Sequence, residues 1–478
     1  MSNIIDDIEE TLVNEGHFHA NFARGIGYWL VSATLGPKIV IRGLPGHGTT
    51  RPNIFLTLSA PPRIFHKSTI ITDVALRMFD NIVREVPMYS TEEDEHSEHT
   101  FTGGSKEGIT KSIAENNISR THFTFDEFGR LVKYAGNSKN YTFEMLGTLT
   151  SLYGGSLIDE AYTSGNRVIK SGVYTTLISG MQRLEDYFDA NIIKSGFIRR
   201  FILVCLTEDD LDPENPLPPY NQDQNIQLQQ SMDNIASQIA RYRSQLEYVN
   251  SFDHAAPTNR PDIVCYIPQN ILDTIHDIDE KQIKLILDRH KQGDNISQYA
   301  TISMSDILVK LTALEALASF DFIYNEAQDD IKELNLSIEH LKKAQKYLDK
   351  IVPNWEKEIQ TILEPKEQVK SVQISQHIKV IDFIKEEMQK QQYQYVEYSS
   401  IIRRFPIVNV SVMLQQLVSM GKLIGVKWKQ TGKKPGRGFS LPEYYELFEM
   451  KAKENVESGL WEYGKVYDGD LHRSGFFV

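Results

Sequence analysis

The chain has 478 residues, is 41% hydrophobic and 24% charged, and carries a formal net charge of −13. That length predicts about two to four domains of ordinary soluble composition, and its two cysteines, Cys205 and Cys265, lie in apolar runs, which excludes a disulfide framework or a four-ligand zinc site. No run reaches the ~18 apolar residues of a membrane helix, and the acidic start (Asp6, Asp7, Glu9, Glu10) speaks against a secretory signal, so a cytoplasmic protein without a membrane is expected.

Residues 1–45 read as an amphipathic helical lead-in closed by a short strand, Lys38 to Arg42. The apolar run Ile54 to Leu58 reads as a strand, and Ile70 to Val83 as a helix. Between them stands Ser59-Ala60-Pro61-Pro62-Arg63-Ile64-Phe65-His66-Lys67-Ser68-Thr69. Strand, loop and helix form the setting of a phosphate-binding loop. There a lysine reaches the β/γ-phosphates and a hydroxyl ligates Mg²⁺, roles that fall to Lys67 and to Ser68 with Thr69. The glycines of the usual pattern are missing, with Pro61 and His66 in their places. A proline turn before a helix capped by Ser68 or Thr69 is the alternative. Upstream, Gly43 to Gly48 with Thr49-Thr50 has glycine spacing but no lysine.

An acidic loop, Thr91 to His99, comes next, and its His96 and His99 sit among carboxylates without a rigid element to fix metal spacing. Thr121 to Phe125 then reads as a buried strand ending in Asp126-Glu127. At the carboxyl end of a parallel strand, Asp126 would hold the metal and Glu127 would polarise water. Ser-Gly-Asn within Ala161 to Gly172 signals a hairpin. Gly172 to Gln182 reads as a core strand expected to end at Ser179. Arg199 and Arg200 precede another, Phe201 to Cys205. Arg200 is the candidate to act on a neighbouring subunit's phosphate.

The stretch from Ile26 to Leu206 resembles the ATPase core of a primase-helicase-like family of bacterial and archaeal mobile elements. That family is similar in turn to the AAA+ minichromosome maintenance helicases. The resemblance rests on Phe22 through Val40, on Ala60 through Thr69, and on Gly104-Ser105-Lys106-Glu107-Gly108-Ile109-Thr110-Lys111. It also rests on Asp126-Glu127-Phe128-Gly129 and Arg200-Phe201-Ile202-Leu203-Val204. This chain departs from the family pattern in a glycine-poor loop with one extra residue. The resemblance implies an α/β fold: an AAA+-like P-loop NTPase core (46–206) with a helical lid, using ATP and Mg²⁺ in a homo-oligomeric ring, a hexamer in the favoured form. It implies Ser179 beside the γ-phosphate and a DNA-touching hairpin with Arg167 and Lys170.

A Pro- and Asp-rich stretch, Asp210 to Pro219, opens a linker and helical lid over 207–365. Helices are expected at 226–249, 269–289, 303–320 and 338–351, around a short extended insert at Val264 to Pro268. Lys310 is the candidate phosphate sensor there, against a plain solvent-facing lysine. Residues 366–448 read as three helices and a basic hairpin, a winged-helix domain, before a C-terminal tail (449–478). Its DNA-contact candidates are Lys427, Lys429, Lys433, Lys434 and Arg437, within a stretch from Ile401 to Ser440 that has no Asp or Glu. The expected third helix has no Arg or Lys, which argues against base-specific readout.

The expected activity is therefore an ATP-dependent DNA helicase or translocase in replication of a mobile or viral element. Two alternatives stay open. One is a DNA-binding assembly protein with a degenerate, non-hydrolysing nucleotide site; the other is a protein-remodelling ATPase.

Overall fold

The computed structural model describes residues 3–43, 49–62, 64–87, 98–103, 106–116, 118–126, 128, 141–155, 158–161, 167–170, 172–188, 192–193, 197–211, 222–249, 258–259, 262–291, 304–325, 330–363, 379–390, 395–404, 414–415, 417–418 and 422–467. The chain divides into two units, Met1–Glu364 and Pro365–Val478. The stretches expected as lead-in, core and lid all lie in the first.

The first unit opens with α1 (Ile4–Asn14), whose N-terminal N–H groups at Ile5 and Asp6 are capped by the Asn3 side chain. Asp6 and Asp7 add negative charge at the positive end of the helix dipole. Ile4, Ile8 and Leu12, spaced four apart, bury one face. α2 (Ala20–Thr34) is buried on nearly every side. Arg24 on α2 ties it to Asp6 at 2.9 Å and Glu9 at 2.6 Å on α1, and to the fully buried Glu315.

β1 (Ile39–Arg42), β2 (Thr49–Thr50) and β3 (Phe55–Ser59) follow. A helical run then begins with Lys67–Thr69, widens to a π-helix over Ile70–Leu76, and continues as α3 (Arg77–Glu85). The next elements are β4 (Glu98–Phe101), α4 (Lys106–Glu115), β5 (Arg120–Phe125) and α5 (Tyr141–Tyr153). After them come the hairpin strands β6 (Ile158–Ala161) and β7 (Arg167–Lys170), then β8 (Tyr174–Met181) and β9 (Phe201–Cys205).

Five of these strands form one sheet in the order β4-β5-β8-β3-β9, with every pair parallel. β3, β5, β8 and β9 are buried along their whole length. That is the pattern of a parallel sheet covered on both faces, and it explains their unbroken apolar runs. β8 lies between β3 and β5, although it follows both in sequence. The carboxyl ends of β3, β8 and β5 therefore sit side by side, where sheets of this kind bind ligands.

The remainder of this unit is α6 (Gln222–Glu247), β10 (Ile263–Tyr266), α7 (Gln269–Lys291), α8 (Met304–Ala318), β11 (Phe322–Asn325), β12 (Asp330–Leu334) and α9 (Ile338–Leu363). Helices thus stand where helical spacing predicts them, and α9 continues through Pro353. The extended insert is no isolated strand. β10 joins a second sheet, in the order β11-β12-β10-β1-β2, pairing in parallel with β1 and β12.

A buried ionic cluster fastens α6 to the open edge of the first sheet. Glu98 on β4 accepts from His122 at 2.8 Å and from Arg243 of α6, while Arg120 on β5 donates to Glu247 at 2.5 and 3.1 Å. Burial pushes the Glu98 carboxyl up, but Arg243, His122 and Arg120 outweigh it and hold it well below the usual carboxylate range. Burial lowers the His122 imidazole, against the pull of Glu98.

The second unit has a helix over 379–390, β13 (Val396–Glu397), α10 (Tyr398–Arg404), β14 (Ile424–Gln430), β15 (Gly436–Ser440), α11 (Tyr445–Glu457) and β16 (Trp461–Tyr467). Its antiparallel sheet runs β13-β15-β14-β16. Of the third helix expected over 411–421, only 414, 415, 417 and 418 lie among the described residues. Residues 449–467, expected as tail, complete α11 and supply β16. The sheet separates two apolar clusters. Val396, Phe439 and Leu441 pack with Val380, Ile384, Ile401 and Leu417, while Val426 and Trp428 pack with Phe448 and Ala452. No helix among the described residues is long and apolar enough to cross a membrane.

Candidate functional site

A cavity of about 320 Å³ opens at the carboxyl ends of β3, β5 and β8. It is lined by Pro61, Pro62, Phe65, His66, Lys67, Ser68 and Thr69 from the loop after β3, by Asp126 after β5, and by Met181, Gln182 and Tyr187 at and beyond the end of β8. Lys67, Ser68 and Thr69 therefore face one space with Asp126, which is remote from them in sequence.

The loop reaches this form without glycine. His66 adopts the left-handed region, with φ +49° and ψ +33°. Left-handed backbone costs an L-residue about 1–2 kcal/mol, and histidine is among the side chains enriched there. His66 thus takes a backbone conformation that glycine would adopt at lower cost. Phe65, 1% exposed, pins the loop from the other side, with its ring 6.2 Å from Phe22 and 6.0 Å from His19 of the lead-in. Beyond the loop the helical run starts at Lys67, with the Ser68 side chain exposed and Ile70 and Ile71 buried beneath.

Lys67 Nζ donates to the Met181 carbonyl at the end of β8. A Cβ at Gly180 would stand 3.2 Å from the Asp126 carbonyl, 3.1 Å from Ile71 and 3.4 Å from Lys67 Cε. The absence of a side chain at 180 is what lets β8, Asp126 and the lysine come this close. Asp126 is exposed to the cavity just past the last residue of β5. Glu127 and Arg63 lie outside the described residues. Phe128 is buried against Phe125, Phe197 and Phe201, which fixes the chain on the far side of the acidic pair.

Two predicted residues are placed elsewhere. Ser179 does not end its strand: β8 runs on to Met181, and the Ser179 hydroxyl is fully buried at 2.7 Å from Thr57 Oγ1. The polar side chain at that strand end is Gln182, which sequence reasoning missed because Gly180-Met181 prolongs the apolar run. Lys310 is not at the cavity. It is 2% exposed on α8, donating to Asn53 Oδ1 at 3.1 Å, 3.6 Å from Asp306, with its ammonium 3.7 Å from the Tyr153 ring centre. Asn53 precedes β3, so this cluster belongs to the amino ends of the strands. Burial lowers the Lys310 ammonium below the usual lysine value, while Asp306 supports the charge. It is neither a sensor in this cavity nor a solvent-facing lysine.

Arg200 closes the short turn Ile198–Arg200 before β9 and is partly exposed. Because Phe201 pairs with Phe55, Arg200 also lies at the amino ends of the strands, and its charge acts on Tyr153 and Lys310. The length of β3, at ~3.3 Å per residue, separates it from the lysine loop of its own chain. The hairpin β6–β7 is present, with Ala161 opposite Arg167 and Ile158 opposite Lys170. Its turn, 162–166, lies outside the described residues, as do the upstream glycines Gly46 and Gly48 and the acidic loop residues 88–97. Gly43 and Thr49-Thr50, by contrast, belong to the second sheet's β1–β2 region.

In the second unit, Lys433 and Lys434 are exposed at the tip between β14 and β15. Arg437 stands 5.8 Å from the Tyr398 ring centre. Lys427 is partly exposed on β14. Lys429 is paired at 2.5 Å with Glu462 of β16, an acidic partner that lies beyond the hairpin in sequence. No group of three or more His, Cys, Asp or Glu among the described residues is placed to hold a metal. No family model matches the chain, and no curated protein matches it.

Proposed function

We propose that the chain is an ATP- and Mg²⁺-dependent AAA+-like motor, a ring-forming DNA helicase or translocase, with a C-terminal winged helix. The observation that supports it is the single cavity gathering Lys67, Ser68, Thr69 and Asp126 at the carboxyl edge of the parallel sheet. The donor set suits a metal-bound polyphosphate: one ammonium, two hydroxyls, one carboxylate, and the main-chain N–H groups at the start of the helical run. When bound, Mg²⁺ neutralises phosphate charge and orients the terminal phosphate.

Lys67 would leave the Met181 carbonyl for the β/γ oxygens of a bound nucleotide, and Ser68 with Asp126 would hold the metal. Thr69 would support the phosphates beside Ser68, Gln182 just past β8 would meet the terminal phosphate, and Glu127 would position the attacking water. Arg200 stands too far from its own chain's loop to act there, which supports a role on a neighbouring protomer in a ring, a hexamer in the favoured form. Arg167 and Lys170 on the hairpin contact DNA, and Lys427, Lys433, Lys434 and Arg437 add the second unit's share.

A second reading is favoured by the glycine-poor loop and by the Lys67–Met181 contact. In it, nucleotide binding without turnover drives assembly on DNA. DNA-stimulated ATPase measurements beside light scattering separate the two. The motor reading expects turnover that rises faster than linearly through the assembly range and partial rescue on mixing Arg200→Ala with Lys67→Ala protein. Assembly with nucleotide but no phosphate release would leave the second reading, and no response to nucleotide would reject both.

A further inference from the structure

β16 is the edge of the second unit's sheet. It pairs with β14, and among the described residues no strand pairs with its other side. An edge strand left open is a template for another chain. α11 lies over this edge, close enough that a Cβ at Gly464 would stand 2.5 Å from the Ala452 Cβ. Beneath the helix, Phe448 and Ala452 pack on Val426 and Trp428 of β14 and on Trp461 and Val466 of β16.

The unit's exposed apolar surface gathers at the same place. Six large apolar side chains are exposed among its described residues. Tyr444, Leu447, Met450, Val456 and Leu460 lie on α11 or at its ends, and only Ile402 stands elsewhere. Single apolar residues on a surface are ordinary, but five along one helix above an open strand make a docking surface.

Its side chains fit a second copy of the same surface. Directly opposed residues of an antiparallel pair share a face. A two-fold axis normal to the sheet beside Gly464 therefore sets Tyr463 opposite the partner's Lys465. That repeats the contact of ring and ammonium that the two residues make within one chain at 5.9 Å. An axis at Glu462 or Lys465 would oppose like charges instead. The axis at Gly464 also runs two α11 helices antiparallel, with Ala452 near their crossing. Because α11 covers β14 as well as β16, its own axis lies inside the edge, which leaves room for the ~8–10 Å of packed helices. Glu449 then falls toward the partner's Lys453, and Lys451 toward the partner's Glu454, all four being exposed.

We propose that a second copy of this chain docks on β16 and α11, joining two four-stranded sheets edge to edge. One pair of strands falls short of the about 1,000 Å² of a specific interface, and the apolar residues of α11 supply the rest. The contact is isologous, unlike the head-to-tail contact of a ring. It goes beyond the proposed function and does not depend on the nucleotide site.

The test oxidises a mixture of full-length Tyr463→Cys and Lys465→Cys chains, in which the native cysteines are buried. Opposed residues on neighbouring strands lie within disulfide reach, whereas diagonal neighbours do not. The mixture should give a disulfide-linked pair, and neither variant alone should. Crosslinking in Tyr463→Cys alone would overturn the axis at Gly464, and none in any sample would overturn the edge contact. Light scattering without nucleotide adds a second reading. Leu447→Asp/Met450→Asp/Val456→Asp should lower the mass about twofold with the thermal midpoint kept, since all three side chains are exposed. An unchanged mass, or a wild-type chain that is monomeric at the same concentration, would overturn the docking surface. Rescue on mixing Arg200→Ala with Lys67→Ala protein reports the ring contact separately, so either reading can fail without the other.

Discussion

The two ends of the parallel sheet each hold a lysine, and they use it in opposite ways. At the carboxyl end, Lys67 lines an open cavity with hydroxyls and an exposed carboxylate around it. At the amino end, Lys310 is enclosed, its ammonium occupied by Asn53, Asp306 and the face of Tyr153. The first lysine rests on the Met181 carbonyl at the wall of an open cavity, whereas the second is enclosed inside the fold. A residue type alone therefore does not mark a site. What marks it is which end of the strands the side chain occupies, and whether it borders open space.

The largest effects should break this contrast along its own line. Lys67→Ala should reduce ATP turnover at least about 10²-fold, with a thermal midpoint close to wild type. Lys310→Met should do the reverse, lowering unfolding free energy by about 2–3 kcal/mol, because Asp306 and Asn53 lose their partner in a buried setting. Urea titration beside an activity assay reads both. Equal loss of stability in the two variants would erase the distinction between the ends.

Acid should act next, at the sheet edge rather than in the cavity. His122 and Glu98 both have pKa values depressed in the fold, so the unfolded chain binds more protons and stability rises with pH across their windows. The His122 share is fully present above the ordinary imidazole range, ~6.5, and declines as pH falls below it. The Glu98 share is lost further down, as pH drops below the ordinary glutamate range, ~4.3, toward its lower folded value. Thermal midpoints should fall in two stages on acidification, and Glu98→Gln should remove the lower stage. A flat profile to pH ~4 would contradict the ion cluster.

The smallest effect sharpens the loop itself. His66→Gly keeps the left-handed backbone and removes its cost, for a gain of up to about 1 kcal/mol after the added freedom of the unfolded chain. His66→Val places a β-branched side chain at φ +49° and should lower stability by at least about 1 kcal/mol. Differential scanning calorimetry of the pair decides it. If both variants match wild type, the loop is not held in this conformation.

Much of the first unit was legible because buried parallel strands leave uninterrupted apolar runs. Phe55 to Leu58, Phe201 to Cys205 and the strand before Asp126 were read in this way. Their neighbours were not legible. β1 and β10 pair Ile39 with Ile263, and no local pattern announces a partner so distant in sequence. The end of β8 was misplaced at Ser179 since periodicity has no stop signal where Gly180 and Met181 remain buried. Lys310 was misassigned because lysine is rarely interior. The available hint was that α8 is apolar on every side from Ile307 onward, the mark of an enclosed helix. At the loop, Lys67-Ser68 was the visible signal, while the anchoring of Phe65 on Phe22 of α2 and the left-handed backbone of His66 have no local signature.

Calorimetric titration of the wild-type chain, Lys67→Ala and Lys310→Met with ATP, in the presence and absence of Mg²⁺, addresses the central claim most directly. The account predicts Mg²⁺-dependent binding to the wild-type and Lys310→Met proteins below the latter's unfolding transition, and its loss in Lys67→Ala. ATP binding that survives in Lys67→Ala, or fails in all three folded proteins, would contradict it.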